Sequence, residues 1–347
     1  MLLDGLHIPL TTPFYPDGRL YLRKLEHNAE RYSRTPAAGL AVMTGTGEGS
    51  LLSDDEAREV LTAAIGASAA EKVMTADVSR DSVAATLELA EVAAAAGYDV
   101  VTLRAPRVLA ASDTKALTTY FQTVADRSAL PVLVQDGGVL PVEVIGLLAG
   151  HPGILGVVES TVDRARAEAI SAAVAAGVSR EVSVTMVFAA VTGRMARTLE
   201  TTGAGNYISA GTLSSGGTAL ATAPPKPAIK TRTKRVGFQR LAGAVKGMLE
   251  ALEGGAAGAM PALAASAPQA VYEVLAAYKD GDTRLAREKQ QRLLGAAELL
   301  EERLGVAGLK AGCDLNGYYG GKPRLPLLPL SGAERMDVEE AMRGLRS

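Results

Sequence analysis

"AGLAVMTGTGEGSLLSDDEA", residues 38–57, holds a whole structural unit. Its apolar start is short enough for a buried strand. Gly45, Gly47 and Gly49 then break the pattern, and Ser53-Asp54-Asp55-Glu56 is a capping box that begins a helix. Strand, glycine turn and capped helix together predict one βα unit of a parallel sheet.

The same alternation runs along the chain. "LHIPLTTPF" (6–14) precedes it; "KVMTADVS" (72–79), "DVVTLRAP" (99–106), "LPVLVQDGG" (130–138) and "GILGVVES" (153–160) follow. "VGFQRLAGAV" (236–245) and "AAGAMPALAA" (256–265) complete a set of eight. Between the early runs lie Ala-rich stretches with helical spacing, as in the segment that starts at Ser82. Eight such units predict an α/β fold, a (β/α)8 TIM barrel over residues 1–266 with its site at the C-terminal strand ends. An open doubly wound sheet is the rival, disfavoured because no G-x-G-x-x-G follows the first run. Residues 267–347 read as a C-terminal helical region packed on the barrel. Residues 181–235 exceed a minimal barrel, and their Gly/Thr/Ser/Ala-rich composition predicts an elaborated, partly mobile insertion. Its basic cluster, Lys230, Arg232, Lys234 and Arg235, is either solvated surface or a hold for an anionic substrate.

Composition limits the function classes. The 347 residues are 48% hydrophobic and 21% charged, with a net charge of −2, which gives no reason to expect nucleic acid or an anionic membrane as partner. No apolar run approaches the roughly 20 residues of a membrane span, and no signal peptide is apparent. A single cysteine, Cys313, excludes an intramolecular disulfide framework and fits a reducing compartment, so a cytoplasmic location is expected. The three histidines, His7, His27 and His151, lack ligand spacing, so neither a metal nor another cofactor is expected.

"HIPLTTPFYPDGRL", "TGTGEGSLLSDDE" and "GLKAGCDLNGYYGGKPRLPLLPL" resemble the class I aldolase superfamily of dihydrodipicolinate synthase, N-acetylneuraminate lyase and 4-hydroxy-2-oxoglutarate aldolase. The resemblance implies a barrel, a homo-oligomer (dimer or tetramer), and a 2-oxo acid bound as an imine on a lysine of the sixth strand. This sequence departs from that pattern. The family's Gly-Ile-Lys-Glu corresponds to Gly156-Val157-Val158-Glu159, which puts Val158 at the lysine's place. Leu-Tyr-Asn becomes Val134-Gln135-Asp136, and Gly-Thr-Thr-Gly-Glu becomes Thr44-Gly45-Thr46-Gly47-Glu48. Pro-Tyr-Tyr becomes Pro106-Arg107-Val108. Valine and glutamine neither form an imine nor carry protons.

Standard imine chemistry is therefore not expected, and a small carboxylate or oxo acid bound without a covalent link is. Thr46 and Gly47 are the candidate carboxylate cradle, or else a plain strand-to-helix turn. Arg104 is a candidate cation for substrate binding, and Asp77, Gln135 and Asp136 are candidate catalytic groups. The plainer reading has Asp77 and Arg104 simply pairing with each other. Glu159 should point away from the cavity by strand alternation, and Glu48 reads as structural. Two uses of the site stand: a repurposed lyase, dehydratase, isomerase or cyclase, and an inactive binding or scaffolding subunit, paired with an active paralogue. A relocated lysine, Lys246, is a third.

Overall fold

The structure, a computed structural model, describes residues 1–160, 163–202 and 229–345. Eight parallel strands close a barrel in the order β1-β10-β9-β6-β5-β4-β3-β2. These are β1 (Gly5–Pro9), β2 (Gly39–Val42), β3 (Val73–Asp77), β4 (Val100–Leu103), β5 (Val132–Gln135), β6 (Ile154–Glu159), β9 (Gln239–Ala242) and β10 (Gly258–Ala259). Each lies inside one of the eight runs, except that β1 begins one residue earlier, at Gly5. Six helices cover the early strands: α1 (Leu22–Ser33), α2 (Asp54–Ala67), α3 (Val83–Ala96), α4 (Thr114–Arg127), α5 (Val142–Ala149) and α6 (Arg164–Val174). The capping box at the head of α2 is formed as read, with the Ser53 and Glu56 side chains each accepting the other's backbone N–H.

Strand alternation divides the apolar residues in two. Ala41, Val73, Val100, Leu133, Leu155, Val158, Leu241 and Met260 form one cluster inside the barrel. Leu40, Met74, Val101, Val134 and Val157 belong to the larger cluster between strands and helices. The same alternation carries Thr75 and Asp77, Thr102, and Gln135 onto the inner face, with Asp77 and Gln135 at the C-terminal end. Gly156 is required at the β6–β9 contact, where a Cβ would stand 2.0 Å from the Gln239 carbonyl oxygen.

After α6 the chain does not continue directly into the next barrel strand. It forms an antiparallel pair, β7 (Arg180–Thr185) with β8 (Thr231–Val236), and α7 (Gly193–Thr202). Val182 and Val184 pack on Leu2. Arg180 donates to the carbonyls of His151 and Ile154, and Arg194 to those of Ser68 and Lys72. All of these lie where β3 and β6 begin, so this part of the insertion covers the N-terminal end of the barrel. The basic cluster goes with it: Arg232 lies over the Phe188 ring, Lys234 faces Asp4 and Arg235 donates to Ser179. These three cations therefore lie at the end of the barrel opposite the C-terminal strand ends. Residues 203–228, which hold most of the small-residue stretch, lie outside the described residues.

The tail is helical: α8 (Met248–Glu253) follows β9, and α9 (Pro268–Lys279), α10 (Thr283–Ala297), α11 (Gly305–Leu315) and α12 (Gly332–Ala341) follow β10, with a π-helical turn at Glu298–Arg303. Among the described residues, no helix is long and apolar enough to cross a membrane.

Candidate active site

A cavity of about 130 Å³ opens at the C-terminal end of the barrel, lined by Thr44, Thr46, Gln135, Val158, Ser160 and Gly243 among others. The turn after β2 makes one wall. Met43 and Glu48, at φ 62° and 56°, bracket it with left-handed backbone, a conformation that costs a non-glycine residue on the order of 1 kcal/mol and is common at ligand sites. Inside the turn, Gly47 N–H donates to the Thr44 carbonyl and the Gly47 carbonyl accepts from Thr12 Oγ1 at 2.6 Å. Gly47 is thus spent on the turn, and a Cβ there would stand 2.8 Å from the Leu10 carbonyl oxygen. The N–H groups of Gly45 and Thr46 have no acceptor among the described residues, and the buried Thr44 hydroxyl has no partner. The donors offered to a ligand therefore come from Thr44, Gly45 and Thr46, with Gly47 shaping them.

Val158 forms part of the cavity wall and is 6% exposed. Among the described residues, no side chain lining the cavity carries an amine. Lys246 is 56% exposed, faces Glu302 and is not among the residues that line the cavity.

The opposite wall is a polar network. Asp77 is buried; its Oδ1 accepts the Ser79 N–H at 2.9 Å and its Oδ2 accepts from Gln135 Nε2 at 3.0 Å. Gln135 Nε2 also donates to Thr102 Oγ1 at 2.9 Å. Arg104 Nε stands 3.7 Å from Asp77 Oδ2, and the Arg104 backbone N–H donates to Ser79 Oγ. Burial pushes the Asp77 carboxyl above its ordinary value, with Arg104 and the Ser79 and Gln135 bonds opposing. Asp77, Arg104 and Gln135 are thus brought together, and the pairing of Asp77 with Arg104 is present. Arg104 also lines a neighbouring hollow of about 180 Å³ with Arg80 and Arg107.

Asp136 does not join them, which corrects its placement at the mouth. Being one residue beyond Gln135, it points outward, buried, and binds Arg166 at 2.7 Å and the Leu140 N–H at 3.0 Å. Glu159 also faces outward, gripped by Arg240 at 2.8 and 3.3 Å.

Two buried groups escaped sequence reasoning. Lys310 of α11 is fully buried and ion-paired with Glu48, its ammonium 4.4 Å from the Phe14 ring centre. Glu48 also accepts the Arg324 backbone N–H at 2.7 Å, so the tail clamps the turn that holds Thr46. The available signal was a lysine set among Leu309, Gly312 and Cys313. Glu301, in the π-helical turn, accepts the Leu263 N–H at 2.6 Å and the Val245 N–H at 3.5 Å. It ties together the loops after β9 and β10, and burial pushes its carboxyl up to about 7. Nothing in the local sequence marks it. Among the described residues, no cluster of His, Cys, Asp and Glu is arranged to hold a metal.

The model of the dihydrodipicolinate synthetase family matches residues 2–212 and 226–344. A 4-hydroxy-tetrahydrodipicolinate synthase of Xanthomonas axonopodis pv. citri is 33% identical over 180 residues, which is 50% of this chain and 58% of that protein. In that match the chain therefore spans little more than half of the relative's length. The L-threo-3-deoxy-hexylosonate aldolase of Hypocrea jecorina is 25% identical over 351 residues, covering 98% of this chain and 95% of that one. The solved dihydrodipicolinate synthase from Aquifex aeolicus superposes with a TM-score of 0.75 at 19% identity, covering 99% of this chain and 98% of that one, a likeness of fold.

Proposed function

The chain belongs to the dihydrodipicolinate synthetase family, and from that premise we propose that its barrel mouth holds a small carboxylate without a covalent link. The observation that carries this reading is Val158, a hydrocarbon in the cavity wall where the family resemblance puts an imine-forming lysine. The unpartnered donors of Thr44, Gly45 and Thr46 supply the carboxylate's hydrogen bonds. Arg104 adds positive charge one contact behind Gln135.

Two uses of such a site follow from different observations. Lyase, dehydratase, isomerase or cyclase chemistry rests on Asp77, the carboxylate directly behind the Gln135 wall, a group able to accept a proton. A binding or scaffolding subunit is favoured by the cavity lining itself, in which no side chain of the described residues is ionisable. The first is the reading we adopt, because an apolar relic would not need the Asp77–Gln135–Thr102–Arg104 network.

Incubation with pyruvate followed by borohydride and intact-mass measurement tests the proposal. The expected mass is that of the unmodified chain. A gain equal to a reduced pyruvate adduct would overturn it.

A further inference from the structure

The orientation of the Gln135 amide carries an inference about the ligand, and it rests on the carboxylate reading above. A glutamine side chain presents two N–H donors on one end and a carbonyl acceptor on the other. Which end faces the cavity is decided here by Asp77. The ionised carboxylate only accepts, and its Oδ2 lies 3.0 Å from Gln135 Nε2. The second N–H of the same nitrogen goes to Thr102 Oγ1 at 2.9 Å. Both donors are used, so the group left to the cavity that Gln135 lines is its carbonyl oxygen. The orientation is held further back as well: Ser79 N–H fixes Asp77 Oδ1, and Arg104 favours the ionised form.

A 2-oxo acid seated on Thr46 would set its keto oxygen against this carbonyl oxygen, acceptor against acceptor. A hydroxyl in the same position donates to it. An ammonium would donate too, but its charge would be desolvated against Val158 with no anion in the cavity lining. We propose that the site selects small 2-hydroxy carboxylates over the corresponding 2-oxo acids, with Gln135 as the specificity-determining residue and Asp77 as its positioning residue.

Calorimetric titration with lactate, pyruvate and alanine, which share one carbon skeleton, tests this. Lactate should bind at least about tenfold more tightly than either of the others, since each of those leaves a mismatch at a partly desolvated acceptor. Asp77→Asn should invert the order. Ser79 N–H would hold the asparagine oxygen, the asparagine NH2 would face Gln135, and the Gln135 amide would turn its own NH2 to the cavity, favouring pyruvate. A purely structural role for Asp77 would weaken all three ligands alike. Pyruvate or alanine binding as well as lactate to the wild type would overturn the selectivity and leave the carboxylate site standing, as would an unchanged order in a folded Asp77→Asn protein. Failure of all three to bind would overturn both. Should Asp77→Asn not fold, the wild-type order alone decides.

Discussion

Lys310 Nζ lies 2.5 Å from Glu48 Oε1, with both side chains wholly withdrawn from solvent. The pair joins α11 of the tail to the turn after β2, and burial lowers the Lys310 pKa while Glu48 raises it. A buried ion pair adds little net stability over well-packed hydrocarbon, but removing one partner strands the other charge. Lys310→Met or Glu48→Gln alone should therefore cost about 3–5 kcal/mol. The double substitution should recover a large part of that loss. Urea denaturation of the three variants measures it, and additive costs would show that the two charges do not interact. Glu48 also holds the left-handed backbone of the turn, so lactate affinity should fall in the single variants before global unfolding does.

Val158→Lys tests the placement of position 158. The side chain lines the cavity, where a lysine would lose much of its solvation and so much of its affinity for a proton. The variant should gain the mass of a reduced adduct after pyruvate and borohydride, while the wild type should not. Turnover of pyruvate should remain negligible, since Gln135 stands where the family resemblance puts the proton-carrying tyrosine. A folded Val158→Lys protein that traps nothing would mean the residue does not face the bound acid.

The titration of Glu301 and His7 gives stability an unusual pH profile. Glu301 is raised to about 7, above its unfolded value of roughly 4.3. The folded state keeps a proton there that the unfolded state has released, so this contribution is full below about pH 4 and is lost as pH rises toward 7. His7 sits buried on β1, its Nε2 3.1 Å from the Leu3 carbonyl oxygen, and burial lowers it to about 4. The unfolded histidine takes up a proton near pH 6.5 that the folded one refuses, so its contribution is lost as pH falls from about 6.5 to 4. The two slopes oppose each other through that window. Glu301→Gln removes one of them, and its stability should rise with pH between 4.5 and 6.5 relative to wild type, by an amount on the order of 2 kcal/mol. Chemical denaturation across that range checks the sign, and parallel profiles would remove Glu301 from the account.

The fold was legible because a strand's burial depends on its own short run of residues. Gly39 to Val42 and Val132 to Gln135 read as barrel strands without knowledge of their neighbours. Asp77, Arg104 and Gln135 could be placed at one end by the same rule, since strand ends are shared in a barrel. Asp136 was misplaced because a strand's last residues alternate faces, and the end of β5 falls between Gln135 and Asp136. The Lys310–Glu48 clamp was illegible for a different reason. Its partners are separated by most of the chain, and their meeting depends on how α11 docks, which no local pattern encodes. The insertion's composition showed that it was extra, while the end of the barrel it covers was decided by contacts such as Arg180 with the His151 and Ile154 carbonyls.

That placement carries the last prediction. Arg232, Lys234 and Arg235 lie on β8 at the N-terminal end of the barrel, across its length from Thr46 and Gln135. Five residues of strand span about 16 Å, and charge effects through solvent fade beyond roughly 8 Å at physiological salt. Replacing Arg232 and Arg235 together by glutamine should therefore change lactate affinity by less than about twofold. Stability should fall slightly, because Arg232 loses its place over the Phe188 ring, a contact worth about 0.5–1 kcal/mol at an exposed site. Calorimetry on the double variant, beside a thermal melt, separates the two effects. A tenfold loss of lactate binding in a protein that melts normally would show that the basic face of the insertion takes part in ligand capture after all.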